Sequence, residues 1–301
     1  MTDLKNPKLA IPIVLIAGIF WSFGPFVVRN IDEANTVPWQ YLFTRGLVIF
    51  ILLNFYLYME EGIDFLNNYK KIGISGIIGG CGLAAAMITF IWSITSTSAA
   101  ITLLCLAAMP FLTALLGFLF LKETISINVW IAILIATIGI IIMAIGNHEK
   151  NTIAGFVLGI VSALGFSVFS VSLRWRKETP KFTTVALAGL ICFLVSLIVI
   201  ILKDLSLLSS SKNQALFAVH GTIVCLGMIL YAIASKNITA AELTLLSLTE
   251  VIGGIFWVWI PWLGINEVPE TNTIVGGFLI FIAIFYYSLI IKSNRRFIAL
   301  N

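Results

Sequence analysis

The stretch "TSAAITLL" (Thr97–Leu104) has a counterpart later in the chain, "ITAAELTLL" (Ile238–Leu246). Ala99 then corresponds to Ala240, an offset of 240 − 99 = 141 residues, and the alanine that follows each of them matches as well. A single match of this length means little. The same offset at other places in the chain would indicate that one structural unit occurs twice.

Two further segments support such a duplication. "GIFWSFG" (Gly18–Gly24) corresponds to "GIVSALG" (Gly159–Gly165), and 159 − 18 again gives 141. "LKETISIN" corresponds to "INEVPETN" after a three-residue insertion, which places Glu123 opposite Glu267 because 267 − 123 = 144. A constant offset across separate segments is difficult to obtain by accident, so we interpret the chain as a tandem duplication.

The composition is that of an integral membrane protein. Of the 301 residues, 60% are hydrophobic and only 11% are charged, and the mean hydropathy is +1.07. A soluble domain normally carries about 25% charged residues, so too few polar side chains are present to cover a water-facing surface. The net charge of +4 is small and gives no indication of a nucleic-acid partner.

Apolar runs of about 20 residues, the length that crosses the hydrocarbon core as a helix, occur ten times. Membrane β-barrel strands alternate at period two over about ten residues, whereas these runs are longer and continuously apolar. We therefore predict an all-α membrane protein with ten transmembrane helices. The predicted spans are 9–28, 37–58, 72–94, 98–120, 125–146, 153–174, 181–202, 214–234, 239–261 and 272–291.

Five helices per unit is an odd number, so the second unit must cross the membrane upside down relative to the first. We expect the first unit over residues 1–150 and the second over residues 151–301. Inverted repeats are common in secondary transporters, which bind substrate near the bilayer midplane between the repeats. The sequence thus predicts a 5+5 inverted repeat around a central cavity.

The lysines and arginines predict the orientation, because cytoplasmic loops carry an excess of both. With the N-terminus inside, only Arg29, Lys150, Lys203 and Lys212 fall in outer segments. This bias predicts a multi-pass protein of the inner or plasma membrane with both termini in the cytoplasm. The inner segments hold Lys5, Lys8, Lys70, Lys71, Lys122, Arg174, Arg176, Lys177, Lys181, Lys236, Lys292, Arg295 and Arg296.

The sequence lacks the motifs of a membrane enzyme or a metal site. Its four cysteines lie in apolar runs without a CxxC spacing, and its two histidines, His148 and His220, stand far apart. The glycine-rich segment Gly73–Gly82 has no following Lys-Ser/Thr, so it is not a phosphate-binding loop. We expect no enzymatic activity, no cofactor and no bound metal.

Short motifs in both units resemble the EamA branch of the drug/metabolite transporter superfamily. They are Trp21-Ser22, Arg45, Pro110, Leu121-Lys122-Glu123, Ala240-Ala241, Glu250-Val251 and Glu267. The resemblance covers nearly the whole chain. It implies that the first four helices of each unit surround a central cavity, with the fifth and tenth helices at the periphery.

One residue departs from the family pattern. Val251 stands where the family often has a proline after the glutamate. The kink that is expected at Pro110 in the fourth helix therefore has no such basis in the ninth.

Glu250 is the first candidate for a substrate contact. It lies near the middle of the ninth predicted helix, where an ionised group costs roughly 2.5–3.5 kcal/mol on insertion scales, and its counterpart in the first unit is the uncharged Met109. Helical spacing places Ser247, Gly254 and Trp257 on the same face. The carboxylate could bind a substrate ammonium or a proton, or it could hydrogen-bond a neighbouring helix as a structural group.

Arg45 is the second candidate, and its counterpart in the second unit is Ala186. Tyr41 precedes it by one helical turn. An arginine stays protonated in a protein, so it needs an anion, a carbonyl group or water. We consider three roles: pairing with a substrate carboxylate, extension to the outer interface, and a fixed bridge to Glu250.

Aromatic residues are the remaining candidates for the cavity wall, although many aromatic side chains in such proteins anchor at the membrane interface instead. A cavity with one anion site and one cation site would suit a zwitterion such as an amino acid. The candidates are Trp21, Trp92, Tyr231 and Trp257.

The sequence as a whole predicts a secondary transporter that moves a small polar metabolite, such as an amino acid, another zwitterion or an amine, by alternating access. Its predicted partners are that metabolite and the lipid bilayer, with a homodimer left open. Proton coupling, exchange with a counter-substrate and simple facilitation remain alternatives for the mechanism. A channel-like facilitator and a non-transporting membrane sensor or assembly partner are the alternative functions.

Overall fold

The computed structural model describes residues 7–146, 153–176, 178–268 and 270–298, and every regular element in these ranges is helical. Lys5, Lys150, Lys177 and His148 lie outside the described residues. The α-helices are α1 (Pro7–Arg29), α2 (Pro38–Glu61), α3 (Leu66–Lys71), α4 (Gly73–Ser96), α5 (Ala99–Leu106), α6 (Met109–Leu116), α7 (Ile127–Gly146), α8 (Ile153–Trp175), α9 (Lys181–Leu202), α10 (Ser211–Ala234), α11 (Ala240–Ser247), α12 (Thr249–Trp259) and α13 (Thr271–Ile298).

Eight helical stretches in the described residues are long and apolar enough to cross a membrane. Two shorter apolar helices, Ile127–Ile142 and Ile274–Tyr287, lie where the fifth and tenth spans were predicted. The eight stretches are Leu9–Arg29, Pro38–Lys71, Gly73–Ser96, Ala99–Leu121, Ile153–Trp175, Lys181–Leu202, Ser211–Ala234 and Ala240–Trp259. The chain is therefore a multi-pass membrane protein.

The outer surface of the helices is apolar, as contact with lipid requires. Large side chains such as Phe55, Leu134, Ile198 and Phe278 are each more than half exposed. A water-facing surface rarely carries so many large apolar groups in one continuous patch. In the hydrocarbon core of a bilayer, the exposure of these side chains has no such cost, because lipid tails are as apolar as leucine.

The fourth and ninth spans are each broken into two helices. The first break falls at Ala107 and Ala108, just before Pro110, and the second falls at Leu248. Ala107 and Leu248 are 248 − 107 = 141 residues apart, so the two breaks correspond. The second break forms although Val251 replaces the proline, because helix interruptions at membrane depth are tolerated where surrounding protein buries them and Leu248 is fully buried.

Glycines bring pairs of helices from the two units into backbone contact. A Cβ atom on Gly82 of α4 would lie 2.9 Å from the carbonyl oxygen of Gly165 in α8. A Cβ atom on Gly46 of α2 would lie 2.8 Å from the carbonyl oxygen of Gly189 in α9. Small residues at such positions let membrane helices approach closely.

The directions of the helices follow from their contacts. Trp21 meets Val224 while Gly24 meets His220, so α1 and α10 are antiparallel. Residue contacts of the same kind show that α4 is antiparallel to α8 and parallel to α9. Helix α2 is antiparallel to α9 and parallel to α10. Helix α1 is parallel to α12. Helices α1 and α8, the first helix of each predicted unit, therefore run in opposite directions.

The contacts between the units occur in matched pairs. Helix α4 packs on α8, and its counterpart α10 packs on α1. Helix α4 also packs on α9, and α10 correspondingly packs on α2. Helices α2 and α9, and likewise α7 and α13, are counterparts that pack on each other.

The glycine contact between α4 and α8 predicts the effect of a single methyl group. Gly82→Ala places a Cβ against backbone, which cannot rotate away, so we expect a loss of about 1–3 kcal/mol, typical of overpacking. Gly277→Ala in α13 is the control because nothing lies within 4 Å of its Cβ position, and alanine there gains up to ~1 kcal/mol of helix propensity. Thermal unfolding in detergent measures both; equal midpoints for the two variants would contradict this packing.

Candidate functional site

A cavity of about 50 Å³ lies where helices of both units meet. Its polar lining consists of Trp21 on α1, Arg45 on α2, Ser162 on α8, His220 on α10 and Glu250 on α12. The apolar lining consists of Leu83, Ala86, Met87, Phe90, Leu106, Met109, Phe166, Val224 and Met228. Since a water molecule in the liquid occupies about 30 Å³, this cavity holds a water or two and is too small for a metabolite.

Several lining residues form pairs at the offset of 141. The pairs are Trp21 with Ser162, Leu83 with Val224, Met87 with Met228, and Met109 with Glu250. The two units therefore contribute corresponding positions to one wall. Arg45 and His220 have no polar counterpart, since the offset leads to Ala186 and Gly79.

Arg45 is a buried cation with unused hydrogen-bond donors. Arg45 is only 5% exposed, and its Nε and Nη1 atoms have no hydrogen-bond partner among the residues that the structure describes. None of the three ion pairs in the described part of the chain includes it. A guanidinium that cannot lose its proton and lacks an anion is costly to bury, and Arg45 is one of the residues that line the cavity.

Glu250 faces the same cavity from the first turn of α12. The break at Leu248 starts a new helix just before it, and a helix N-terminus favours a negative charge. No ion pair within 4.0 Å joins Glu250 to Arg45 in the described residues. The cavity therefore presents a carboxyl group and a guanidinium that do not neutralise each other by direct contact.

Tyr41 lies behind the wall and holds His220 in place. Its hydroxyl is hydrogen-bonded to Nδ1 of His220, and its ring stacks on Phe217 with centroids 4.7 Å apart. Tyr41 itself is 1% exposed and does not line the closed cavity. His220 lines the cavity directly, a placement that its position in the sequence did not indicate.

Trp21 lines the cavity, whereas Tyr231 supports it from behind. The indole Nε1 of Trp21 donates to the carbonyl of Val224 at 3.3 Å. Tyr231 packs against Trp21 with ring centroids 5.4 Å apart and shares a hydrogen bond of 2.7 Å with Ser170. The phenol of Tyr231 is thus occupied within the protein and outside the closed cavity.

Ser247 and Trp257 lie away from the closed cavity. The Ser247 hydroxyl donates to the carbonyl of Thr244 at 2.9 Å within its own helix, and Trp257 Nε1 donates to Ser22 Oγ at 2.9 Å. The predicted stripe with Glu250 assumed one continuous helix. The break at Leu248 changes the rotation between Ser247 and Glu250. Trp257 follows Glu250 on the same helix by about two turns, so of these three residues only Glu250 lines the cavity.

Trp92 also lies outside the closed cavity. Its ring packs against Trp39 with centroids 5.4 Å apart, and its Nε1 is buried without a hydrogen-bond partner. Phe90, two residues earlier on α4, lines the wall instead. A shift of two residues on a helix turns a side chain by about 200°, which separates these two positions.

Two of the cavity-lining residues that were not among the predicted site residues could have been found from the sequence. Applying the offset of 141 to the predicted Glu250 and Trp21 leads to Met109 and Ser162, both of which line the cavity. Met87, Phe166 and Met228 lie in apolar runs where nothing in the sequence distinguishes them from lipid-facing residues.

Comparison with known proteins agrees with this architecture. Residues 8–145 match the EamA-like transporter family. The pseudopaline exporter CntI of Pseudomonas aeruginosa (strain UCBPP-PA14) is 24% identical over 285 residues, which cover 92% of this chain and 94% of CntI. The "Uncharacterized transporter YdfC" of Bacillus subtilis (strain 168) is 25% identical over 308 residues, covering 98% of this chain and 95% of YdfC.

A solved crystal structure shares the fold. It superposes with a TM-score of 0.76 over 96% of this chain and 99% of its own, at 16% sequence identity. The similarity therefore extends over nearly the whole chain. The segment at residues 8–145 thus matches the EamA-like transporter family, and the chain is similar over nearly its whole length to proteins that are named as transporters.

Proposed function

We propose that this protein is a secondary transporter for a small zwitterion with a carboxylate and an ammonium group, such as an amino acid. The observation that carries the proposal is the pair of opposite charges, Arg45 and Glu250, that line one small cavity without forming an ion pair among the described residues. A zwitterion supplies a partner to both charges at once. A neutral or singly charged solute would leave one of them unpaired.

The chemistry of each half of the site fits this ligand. The guanidinium of Arg45 is planar and carries parallel pairs of N–H donors, a geometry that suits two hydrogen bonds to a carboxylate. Glu250 accepts hydrogen bonds from an ammonium group, and the ring faces of Trp21 and Phe166 beside the cavity attract a cation through their quadrupoles. The side chain of the solute would meet the methionines, which adapt to varied shapes.

Alternating access between two inverted five-helix units, residues 1–150 and 151–301, is the mechanism we propose. The matched contacts between helices, the opposite directions of α1 and α8, and the corresponding breaks in the fourth and ninth spans support this division. The cavity is too small for an amino acid in the closed conformation, so substrate binding requires one end of the bundle to open. Inverted units can open toward either face by equivalent motions.

The loop charges support insertion in the cytoplasmic membrane with both termini inside. On the face proposed as cytoplasmic, Lys181 donates to Ser235 at 2.7 Å, and Arg174 contacts the same residue. Lys70 and Lys71 end α3 on the exposed surface. The name of CntI as an exporter supports transport of a small molecule by this family.

Removing either charge tests the site. We expect Glu250→Gln and Arg45→Ala to reduce counterflow of a zwitterionic substrate in liposomes by roughly 10- to 100-fold, because a hydrogen bond to a charged group is worth about 1.5–3 kcal/mol. Matched controls are Glu60→Gln and Arg176→Ala, both exposed, which should transport like the wild type. Normal transport by both site variants would show that the substrate binds elsewhere.

Proton coupling through Glu250 makes a separate prediction, because glutamine cannot carry the proton. Glu250→Gln should abolish substrate accumulation driven by a pH gradient. Exchange of substrate across the membrane, measured relative to the wild type, should be reduced less than accumulation. The measurement is uptake with and without an imposed pH gradient, with Glu60→Gln as the control. Accumulation that persists in the Gln variant would exclude this carboxyl group as the proton carrier. Transport that is equal in the wild type and the Gln variant, and that does not respond to the pH gradient, would favour facilitation.

A further inference from the structure

Arg29 forms a network at the end of α1. Its Nε donates to Glu267 Oε1 at 2.6 Å, its Nη1 to the carbonyl of Ile94 at 3.2 Å and its Nη2 to the carbonyl of Thr97 at 3.3 Å. One side chain therefore ties the end of α1 to the end of α4 and to the segment that follows α12. We call these contacts the Arg29 network.

Arg174 forms the same kind of network at the end of α8. Its Nε donates to Glu123 Oε1 at 2.5 Å, and its Nη1 donates to the carbonyl of Ser235 at 2.9 Å and to that of Ile238. The second oxygen of Glu123 accepts from the backbone nitrogen of Ala240 at 3.4 Å. This Arg174 network ties α8 to the end of α10, the start of α11 and the segment that follows α6.

The partners in the two networks correspond. The carbonyls of Ile94 and Thr97 correspond to those of Ser235 and Ile238 at the offset of 141, and the two glutamates correspond at 144. The arginines are 174 − 29 = 145 residues apart, which is one helical turn beyond the offset. Equivalent networks thus form although their arginines do not occupy equivalent positions in the repeat.

The networks lie at opposite faces of the helix bundle. Each arginine is in the last turn of the first helix of its unit, and α1 and α8 run in opposite directions. Trp21 and Ser162, which line the cavity, precede these arginines by two and three helical turns. The cavity therefore lies between the two networks.

We propose that the Arg29 and Arg174 networks are the two gates of the transport path, one at each face, and that they open alternately. This inference rests on the proposed function. The contacts of both networks are formed in the structure, in which the cavity has a volume of about 50 Å³. Separation of α1 from α4 and α12 breaks the Arg29 network, and separation of α8 from α6 and α10 breaks the Arg174 network.

The burial of these ion pairs suits contacts that form and break. The side chains of Arg29 and Glu267 are 21% and 39% exposed, and those of Arg174 and Glu123 are 23% and 15% exposed. A fully buried pair is strongly destabilised when its partners separate. These partly exposed groups can exchange their protein contacts for water when the face opens, so the open and closed states differ less in free energy.

The test measures from which face the cavity can be reached. Met109→Cys introduces a thiol in the cavity wall, and a membrane-impermeant maleimide is applied to right-side-out and inverted vesicles, with peptide mass spectrometry separating this site from the native cysteines. We expect Glu267→Gln to raise labelling at least threefold from the face of the Arg29 network only. Glu123→Gln should raise labelling at least threefold from the opposite face only.

Two further variants distinguish opening of a gate from a general loss of folded structure. Arg29→Lys retains a charge beside Glu267 but cannot reach both carbonyls, so we expect a smaller increase from the same face. Asp32→Asn is the matched control, since it removes an exposed ion pair with Lys212 beside the end of α1 and should leave labelling unchanged. Vesicles carrying each variant are compared at equal amounts of folded protein.

Unchanged labelling in both glutamate variants, or increases from both faces alike, would overturn the gates and indicate static ties between helices. The readout needs no substrate, so it is separate from the test of the proposed function. Normal counterflow by the Arg45 and Glu250 variants would reject the zwitterion site while leaving face-specific labelling intact. Loss of counterflow together with unchanged labelling would reject the gates alone.

Discussion

The buried guanidinium of Arg45 is the constraint on which the rest of the site depends. A permanent cation inside a membrane-spanning bundle is expensive unless water, protein oxygens or a bound anion surround it. Two of its donors have no partner in the protein, and the neighbouring carboxyl group of Glu250 lies across the cavity without an ion pair to it. The guanidinium of Arg45 therefore keeps hydrogen-bond donors that a bound anion could pair with.

The proposed duplication would explain how a chain of nearly uniform apolar character builds such a site. Positions that correspond at the offset of 141 meet at the cavity, and breaks at corresponding positions of the fourth and ninth predicted spans bring helix ends to its wall. The break at Leu248 places Glu250 at the start of α12, where the helix dipole favours its charge. The residues that differ between the units, above all Arg45 and Glu250, make the cavity suitable for an asymmetric solute.

Much of this architecture could be predicted from the sequence. Apolar runs indicate the helices because the bilayer fixes their length, and the offset of 141 indicates which positions correspond. Glu250, Arg45 and Trp21 stood out because polar or asymmetric groups are rare in such runs, and all three line the cavity. The substrate role of each of them stays a prediction.

Other features depend on geometry that periodicity does not encode. Ser247 and Trp257 were grouped with Glu250, but the break at Leu248 redirects Ser247, and Trp257, farther along α12, donates to Ser22 instead. Tyr231 and Trp92 look like wall residues by type, yet ring packing within the bundle occupies them. The Arg29 and Arg174 networks join residues more than 50 positions apart through backbone carbonyls, which carry no sequence signal.

The most direct measurement compares ligands that differ by one charge. Thermal stability of the purified protein would be measured with a panel of amino acids, the matching amines that lack the carboxylate, and the matching N-acetyl acids that lack the ammonium. The account predicts that at least one zwitterion raises the unfolding temperature and that both of its singly charged derivatives do so much less. A panel in which no zwitterion exceeds its own derivatives would contradict a site built from Arg45 and Glu250.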